Sequence, residues 1–566
     1  MKLPFICLKC IIVTCISAFK QYFLISACSS SYSRINNDSP PTKMNTVIIY
    51  LFLALGVALF GVLVILYAYF KYSFSYWKKK GVTYLEPTFP FGNLRDTVFQ
   101  KQNIGLLFQD IYNQLEGNDI GGVYSFARPT LVLRDPEIIK TFLVKDFIHF
   151  HDHGTYFDEV SDPLNANLFM LSGIKWRNMR TKLTPTFTSG KMKMTFQILI
   201  ECGKELEKYI NEYAVCGEKI EVKDILAKYS TDVIASFAFG LQCNCLKNPD
   251  AEFRQWGRKI FETSIKSGIR DIFMFLSPTL GAIFKIPFVP PDVTRYFTKM
   301  VNETIEYREN NNVTRNDFIQ LLINLKNKGT IEKDSPCKSQ MNGHSTTEND
   351  KETSFTMADV AAQAFVFFVA GFETSSTTMT FCLYELALNP DVQERLQAEI
   401  DAVLKQHGNE ITYDAIQEMD YLDRAIAETL RKYPPVPLLT RECTKAYTIP
   451  GKNIHLEKGM SVVIPTMGIH KDPKFYPNPE RFDPDRFREE VKNQRHHFTY
   501  LPFGEGPRIC IGMRFGLLQT KVGLISVLSK NSVQVCEKTQ VPLKLVPKGI
   551  IPSPEGGMWL KIVKRK

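Results

Sequence analysis

The sequence predicts a mainly α-helical protein with a minor β-sheet, built as one large domain behind an N-terminal transmembrane anchor. Three patterns lead there. Residues 47–70 are apolar and carry no charge. Long amphipathic stretches fill the remainder, with only short strand-like runs between them. No Gly/Ser-rich or Pro-rich linker divides the body, although 566 residues would by length alone suggest three or four domains.

As a helix, residues 47–70 span about 36 Å, enough for a hydrocarbon core of about 30 Å. Lys71, Lys78, Lys79 and Lys80 follow, with no small-residue cleavage site. The anchor is therefore expected over 44–80, with residues 81–566 forming a catalytic domain on the cytosolic side. Residues 1–43 carry Cys7, Cys10, Cys15 and Cys28 and a broken apolar stretch. A second span, a targeting extension and a start at Met44 all fit that segment. In the body, helices are expected over 204–213, 357–388, 391–405, 413–431 and 515–529, and strands over 122–126, 130–133, 447–449 and 461–464. Residues 326–351 are rich in Ser, Asn, Lys and Thr and are expected as an exposed connection.

Composition excludes several classes. Hydrophobic residues at 44% and charged residues at 23% rule out a disordered or collagen-like chain. The +10 formal charge is spread along the chain, with no basic stretch interleaved with aromatics, so no nucleic-acid partner is expected. A membrane surface or an acidic protein partner suits the excess better. Thirteen Cys are too few for a disulfide scaffold, and no paired CxxC zinc pattern occurs.

Residues 503–512 read Phe-Gly-Glu-Gly-Pro-Arg-Ile-Cys-Ile-Gly. Gly504 and Gly506 permit a tight loop whose backbone N–H groups can approach a sulfur. Cys510 precedes a helix, whose positive end is expected to lower the thiol pKa and favour the metal-ligating thiolate. Arg508 supplies a cation suited to a carboxylate on a bound cofactor. Gly512 would let the helix pack flat against a large planar group.

This stretch resembles the cytochrome P450 signature Phe-x-x-Gly-x-Arg-x-Cys-x-Gly, matched at Phe503, Gly506, Arg508, Cys510 and Gly512. The resemblance implies that Cys510 is the axial ligand of haem b (iron protoporphyrin IX), whose thiolate ligation promotes O–O cleavage. It also implies a structural network of Glu428 and Arg431 with an Arg from a Pro-Glu-Arg-Phe segment, here Arg481. Trp176, Arg180, Arg441 and Arg508 would reach the haem propionates. His153 stands where related proteins commonly carry Arg, so one propionate contact there would be only partly charged. Leu183-Thr184-Pro185-Thr186-Phe187-Thr188 is similar to insect microsomal, xenobiotic-metabolising, family-6-like members.

The stretch 357–388 is an apolar helix about 48 Å long, with Glu373-Thr374 at its middle. Polar side chains flanked by Phe365, Phe367 and Phe368 need a reason to be there. Gly371 would weaken the helix and open space for water or a diatomic ligand. On spacing alone, the hydroxyls could simply bond back to the helix. The resemblance instead implies an acid–alcohol pair that delivers protons during oxygen activation. The expectation is a monooxygenase that uses O2, a small hydrophobic substrate and electrons from NADPH. Those electrons would arrive through NADPH–cytochrome P450 reductase, with cytochrome b5 as an optional donor, at the endoplasmic reticulum membrane. Phe365, Phe368, Ala370, Val436, Leu438 and Leu439 are expected as pocket walls. A haem-thiolate isomerase or dehydratase and a non-enzymatic haem-binding protein are the rivals, and the Glu373-Thr374 pair argues against both.

Overall fold

The computed structural model describes residues 42–261, 285, 287–328 and 355–565. Residues 1–41 and nearly all of the polar connection expected over 326–351 lie outside the described residues; Lys326 and Asn327 belong to the end of the helix Phe318–Lys328. Contacts divide the chain into Met1–Lys79 and Lys80–Lys566. In the first unit, helix α1 (Thr42–Phe74) starts two residues before the anchor expected from Met44. Its side chains from Ile49 onward are largely exposed, among them Phe52 and Phe60, and the helix is long and apolar enough to cross a membrane.

In the second unit, the helices that matter for the site are α2 (Gly173–Leu183), α3 (Ser189–Cys216), α4 (Val222–Ile234), α5 (Met357–Leu388), α6 (Pro390–Gln406), α7 (Asp420–Lys432) and α8 (Met513–Leu528). Helix α5 is the axle. It packs against α4, α7, α8 and the helix Pro291–Asn310. Its first turn is set by a capping box, in which Thr356 accepts from Asp359 N and Asp359 accepts from Thr356 N. Gly371 does not open space as expected. A Cβ there would run into Ile234 Cδ1, so the glycine lets α4 lie close against α5.

Among the described residues, three sheets complete the unit. Strands β1 (Ile120–Ser125) and β2 (Arg128–Leu133) form a hairpin; β2 runs parallel to β7 (Ser461–Ile464), and β7 pairs antiparallel with β4 (Leu439–Glu442). A second antiparallel sheet joins β3 (Lys219–Glu221), β9 (Trp559–Lys564) and β8 (Asn531–Gln534). Strands β5 (Tyr447–Thr448) and β6 (His455–Leu456) form a short hairpin.

The helix expected over 413–431 is two helices, Tyr413–Glu418 and α7, broken at Met419. The reason is tertiary. Glu399 on α6 accepts from Tyr421 N at 2.7 Å and from Leu422 N at 2.9 Å, which caps a new N-terminus that local pattern cannot reveal.

Helix α7 carries Glu428 and Arg431, both fully buried and joined through two hydrogen bonds of 2.6 and 2.8 Å. Arg431 also donates to the carbonyls of His470 and Pro479. The second cation is Arg486, whose Nε lies 3.4 Å from Glu428 Oε1, whereas Arg481, the expected member, is exposed. The chain holds two neighbouring Pro-x-Arg-Phe runs, at 479–482 and 484–487, and the fold brings the second to Glu428. Burial and the cation at Arg431 hold His470 at a pKa of about 3, so its ring is neutral; Nε2 accepts from Leu501 N at 2.8 Å. The buried pair is thereby tied to the chain two residues ahead of Phe503. Breaking such a pair typically costs about 3–5 kcal/mol because one charge stays buried. Arg431→Met is therefore expected to lower the thermal midpoint in calorimetry and to diminish haem retention, while Arg481→Ala changes neither.

Candidate active site

The thiolate loop is held by its own backbone and by a neighbouring turn. Cys510 N donates to Phe503 O at 2.9 Å, closing the loop, and residues Gly506–Arg508 form a single 3-10 turn. Gly504 and Gly506 have φ of 71° and 75°. At Gly506 a Cβ would strike the Leu143 carbonyl oxygen, so the loop packs directly on the turn Thr141–Lys145.

Cys510 is exposed, and a Cβ on Gly512 would meet nothing within 4 Å, so both face open space. The expected lowering of the thiol pKa is not found. Burial among protein groups pushes the Cys510 thiol up, against the weaker pull of the Gly512 N–H and the Arg180 guanidinium. Helix α8 begins at Met513, three residues beyond the sulfur, and its end bears on the thiol through the Gly512 N–H alone, which burial outweighs.

Three arginines bear on this site, and Arg508 is repelled by both Arg441 and Arg180. Arg441 is 2% exposed, and its Nε has no hydrogen-bond partner. Burial lowers its pKa to about 10, and burial with Arg441 and Arg180 nearby lowers that of Arg508 to about 9, opposed by Asp152. Arg508 is otherwise engaged. It donates to the carbonyls of His151, Leu168, Phe169 and Leu171, lies 3.5 Å from Asp152 and stacks over Trp176. Asp152 accepts in turn from Gly173 N, so this arginine fixes the start of α2.

His153 stacks on Phe169, with Nδ1 near Thr440 O and Arg441 Nη1. Burial first, then the cations of Arg441 and Arg508, drive it well below its ordinary pKa. It is neutral near pH 7, not partly charged. Among the described residues no group of three or more His, Cys, Asp or Glu is arranged to hold a metal ion.

The residues fit a planar group carrying two carboxylates and a metal. An exposed sulfur and an open glycine supply one face. Arg441 keeps an orphaned buried N–H beside Arg508, a group suited to an anionic partner. Helix α5 carries Val366, Ala370 and Thr374 four residues apart on one side of the helix, all at least partly exposed. Helix α8 meets α5 beside this strip, since a Cβ on Gly516 would lie 3.8 Å from Ser375 Oγ.

Phe365 and Phe368, expected as pocket walls, are instead packed into an aromatic cluster with Phe253 and Phe297. Val436, also expected as a wall, is 39% exposed, and Phe169 is 49% exposed. Thr374 Oγ1 donates to Ala370 O at 2.5 Å. Ser376, Thr378 and Thr380 make the same backward bond, but Thr374 alone of these is only half-buried. Glu373 turns to α4, where its Oε1 lies 3.1 Å from Lys223 Nζ.

Gly506→Ala would force the loop off Leu143 and put a side chain at positive φ, strain of order 1–3 kcal/mol before any steric shift. The expected outcome is correctly folded helix by circular dichroism but weakened haem incorporation, whereas Gly512→Ala, which clashes with no protein atom, impairs only the holoprotein.

The comparisons agree with this geometry. The family profile described as Cytochrome P450 matches residues 86–560. Cytochrome P450 6k1 of Blattella germanica is 44% identical over 524 residues, covering 90% of this chain and 98% of its own. Probable cytochrome P450 6a14 of Drosophila melanogaster is 44% identical over 514 residues, covering 89% and 99%. Cytochrome P450 6A1 of Musca domestica is 40% identical over 508 residues, covering 89% and 96%. The chain belongs to the cytochrome P450 family and is a haem-thiolate monooxygenase.

Proposed function

We propose that the chain is a microsomal monooxygenase of the endoplasmic reticulum that inserts one atom of O2 into hydrophobic organic substrates. Xenobiotics, plant toxins, insecticides and endogenous lipids or hormones are the substrate classes. Electrons come from NADPH through its reductase, with cytochrome b5 as an optional donor. The single observation that supports this best is the partly exposed strip Val366, Ala370 and Thr374 on α5, taken with an exposed Cys510 on the thiolate loop. One wall there is apolar apart from one hydroxyl, which favours hydrophobic substrates.

Haem, when bound, supplies oxygen activation and the redox chemistry. The chain does the rest. Cys510 ligates the iron; Arg441, Arg180 and Trp176 meet the propionates; Arg508 holds the loop 168–171 and α2 against them. Phe503 closes the thiolate loop through its carbonyl. Glu428, Arg431 and Arg486 brace that loop through His470. Thr374 hands on protons at its Oγ1, exchanging its bond to Ala370 O for one to water, and Glu373 is the acid beside it. Lys78, Lys79 and Lys80 after the anchor favour a cytosolic catalytic domain.

Electron supply needs a docking face. Arg177 and Lys182 lie on α2, and Lys191 and Lys193 on the first turn and a half of α3. Arg514, four residues past the sulfur, donates to Ser189 Oγ, which places this basic face beside the thiolate loop. Lys193 meets Asp414 only at 3.8 Å, with both side chains mostly exposed, a pair of small worth. Exposed charges are screened over about 8 Å at physiological ionic strength. The apparent KM for reductase is therefore expected to rise with added salt and in Arg177→Glu, measured by NADPH-dependent turnover; indifference to both contradicts this face.

Thr374→Ala tests the proton route. The CO spectrum and substrate binding stay near normal, because neither the thiolate loop nor the apolar strip changes. NADPH oxidation continues, with more hydrogen peroxide and less hydroxylated product per NADPH. A positioned proton donor typically contributes about 10²–10⁴-fold, and water replaces part of it in an open site. Full product yield per NADPH in this variant would make Thr374 an ordinary back-bonded helix residue.

A further inference from the structure

One titratable ring stands among the cations of the site and carries no charge of its own. His153 is half-buried, and its ring stacks on Phe169 with centroids 4.6 Å apart. Nδ1 lies 3.2 Å from Thr440 O and 3.3 Å from Arg441 Nη1, and the same guanidinium nitrogen donates to Thr440 O at 2.8 Å. The Thr440 carbonyl, which can only accept, favours a proton on Nδ1. Burial, and then the cations of Arg441 and Arg508, oppose a second proton on the ring.

Among the described residues, the carboxylates on the segments around this ring are already committed. Asp152 is shared by His151 at 2.6 Å, Arg508 at 3.5 Å and the backbone N–H of Gly173. Glu442, next to Arg441 on β4, reaches Arg128 at 3.1 Å. Arg180 on α2 adds a further cation, which repels Arg508. The surroundings of His153 are thus in cationic excess, and a haem brings two carboxylates. An anion beside Arg441 weakens the repulsion that keeps the ring neutral and attracts a charge onto it.

We propose that His153 takes up one proton from solution when haem binds and serves as a titrating partner of a propionate, so that the hold on the cofactor weakens as pH rises. The step moves one proton from buffer to imidazole, with no electron transferred. This inference rests on the reading of Arg441 and Arg180 as propionate partners. The ring binds its proton more tightly with haem than without, so the added hold is fully present at low pH and is lost as pH rises through the haem-bound midpoint. Cys510 acts in the opposite sense, because a thiol gives up its proton to ligate a metal. Variants that all keep Cys510 therefore isolate the contribution of His153.

The test follows haem loss from the full-length, haem-loaded protein to excess apomyoglobin, in the natural chain, His153→Arg, His153→Gln and Arg441→Gln. The range runs from about pH 6 to about pH 8.5, across the ordinary histidine midpoint. His153→Arg carries a permanent charge. Relative to it, the natural chain is expected to lose haem at a similar rate at the acid end and several-fold faster at the alkaline end, with about tenfold per pH unit as the limit for one proton. His153→Gln exceeds His153→Arg by a factor that does not change with pH. His153→Lys replaces His153→Arg where the latter lacks a CO spectrum. Deuterium exchange at the imidazole C2–H, read by peptide mass against pH, gives the midpoint of His153 itself, expected at or above about 6.5 with haem bound. A natural-to-arginine ratio that is flat with pH, or a haem-bound midpoint still well below the ordinary histidine value, overturns the proposal. Haem loss in Arg441→Gln no faster than in the natural chain overturns the propionate reading itself; faster loss there with a flat natural-to-arginine ratio overturns only the role of His153.

Discussion

Burial drives the Cys510 thiol toward its protonated form, and the fold answers with only an N–H from Gly512 and a guanidinium from Arg180. Neither outweighs desolvation. A metal cation does, because a coordinating thiol is deprotonated outright by its metal. The loop accordingly presents an exposed sulfur on a rigid backbone, and its ionisation would fall to a bound metal. That constraint explains the local construction. Gly506 must lie on the Leu143 carbonyl, Cys510 N must close on Phe503 O, and Gly512 must leave its side open.

A loop this tightly specified needs a frame that does not yield. The frame runs from the buried Glu428–Arg431 pair through the neutral His470 to Leu501 N, so charge burial in one layer fixes backbone in the next. A buried pair contributes little net stability compared with apolar residues of the same volume. Its value here lies in direction: the guanidinium reaches three chain segments at once. Helix α5 is used twice in a similar way. Gly371 and the Phe368 side bind it into the core, while Ala370 and Thr374, on another side, face the open space.

Much of this was legible in residues and spacing, and the rest failed for physical reasons. Helix α5 matches its expected bounds because the capping box and 32 residues of apolar sequence act locally. The break at Met419 was hidden because its cap, Glu399, comes from a different helix. Strand β9 was not anticipated, because six residues of alternating burial give little signal without the partners β3 and β8. Arg481 and Arg486 sit in near-identical tetrapeptides, and only the position of Glu428 separates them. The pKa of Cys510 was misjudged by weighing a helix dipole without desolvation, a quantity that spacing does not contain. Lys223 lies 150 residues before Glu373 in the chain, and nothing in either segment announces the other.

The most direct test of the account is the carbon monoxide difference spectrum of the reduced, haem-loaded full-length protein and of Cys510→Ala. The account predicts the absorption diagnostic of thiolate ligation in the natural protein and its loss in the variant, with helical content unchanged. The same thiolate absorption in Cys510→Ala would contradict it, because the ligand would then be another sulfur and the loop from Phe503 to Gly512 would have some other purpose.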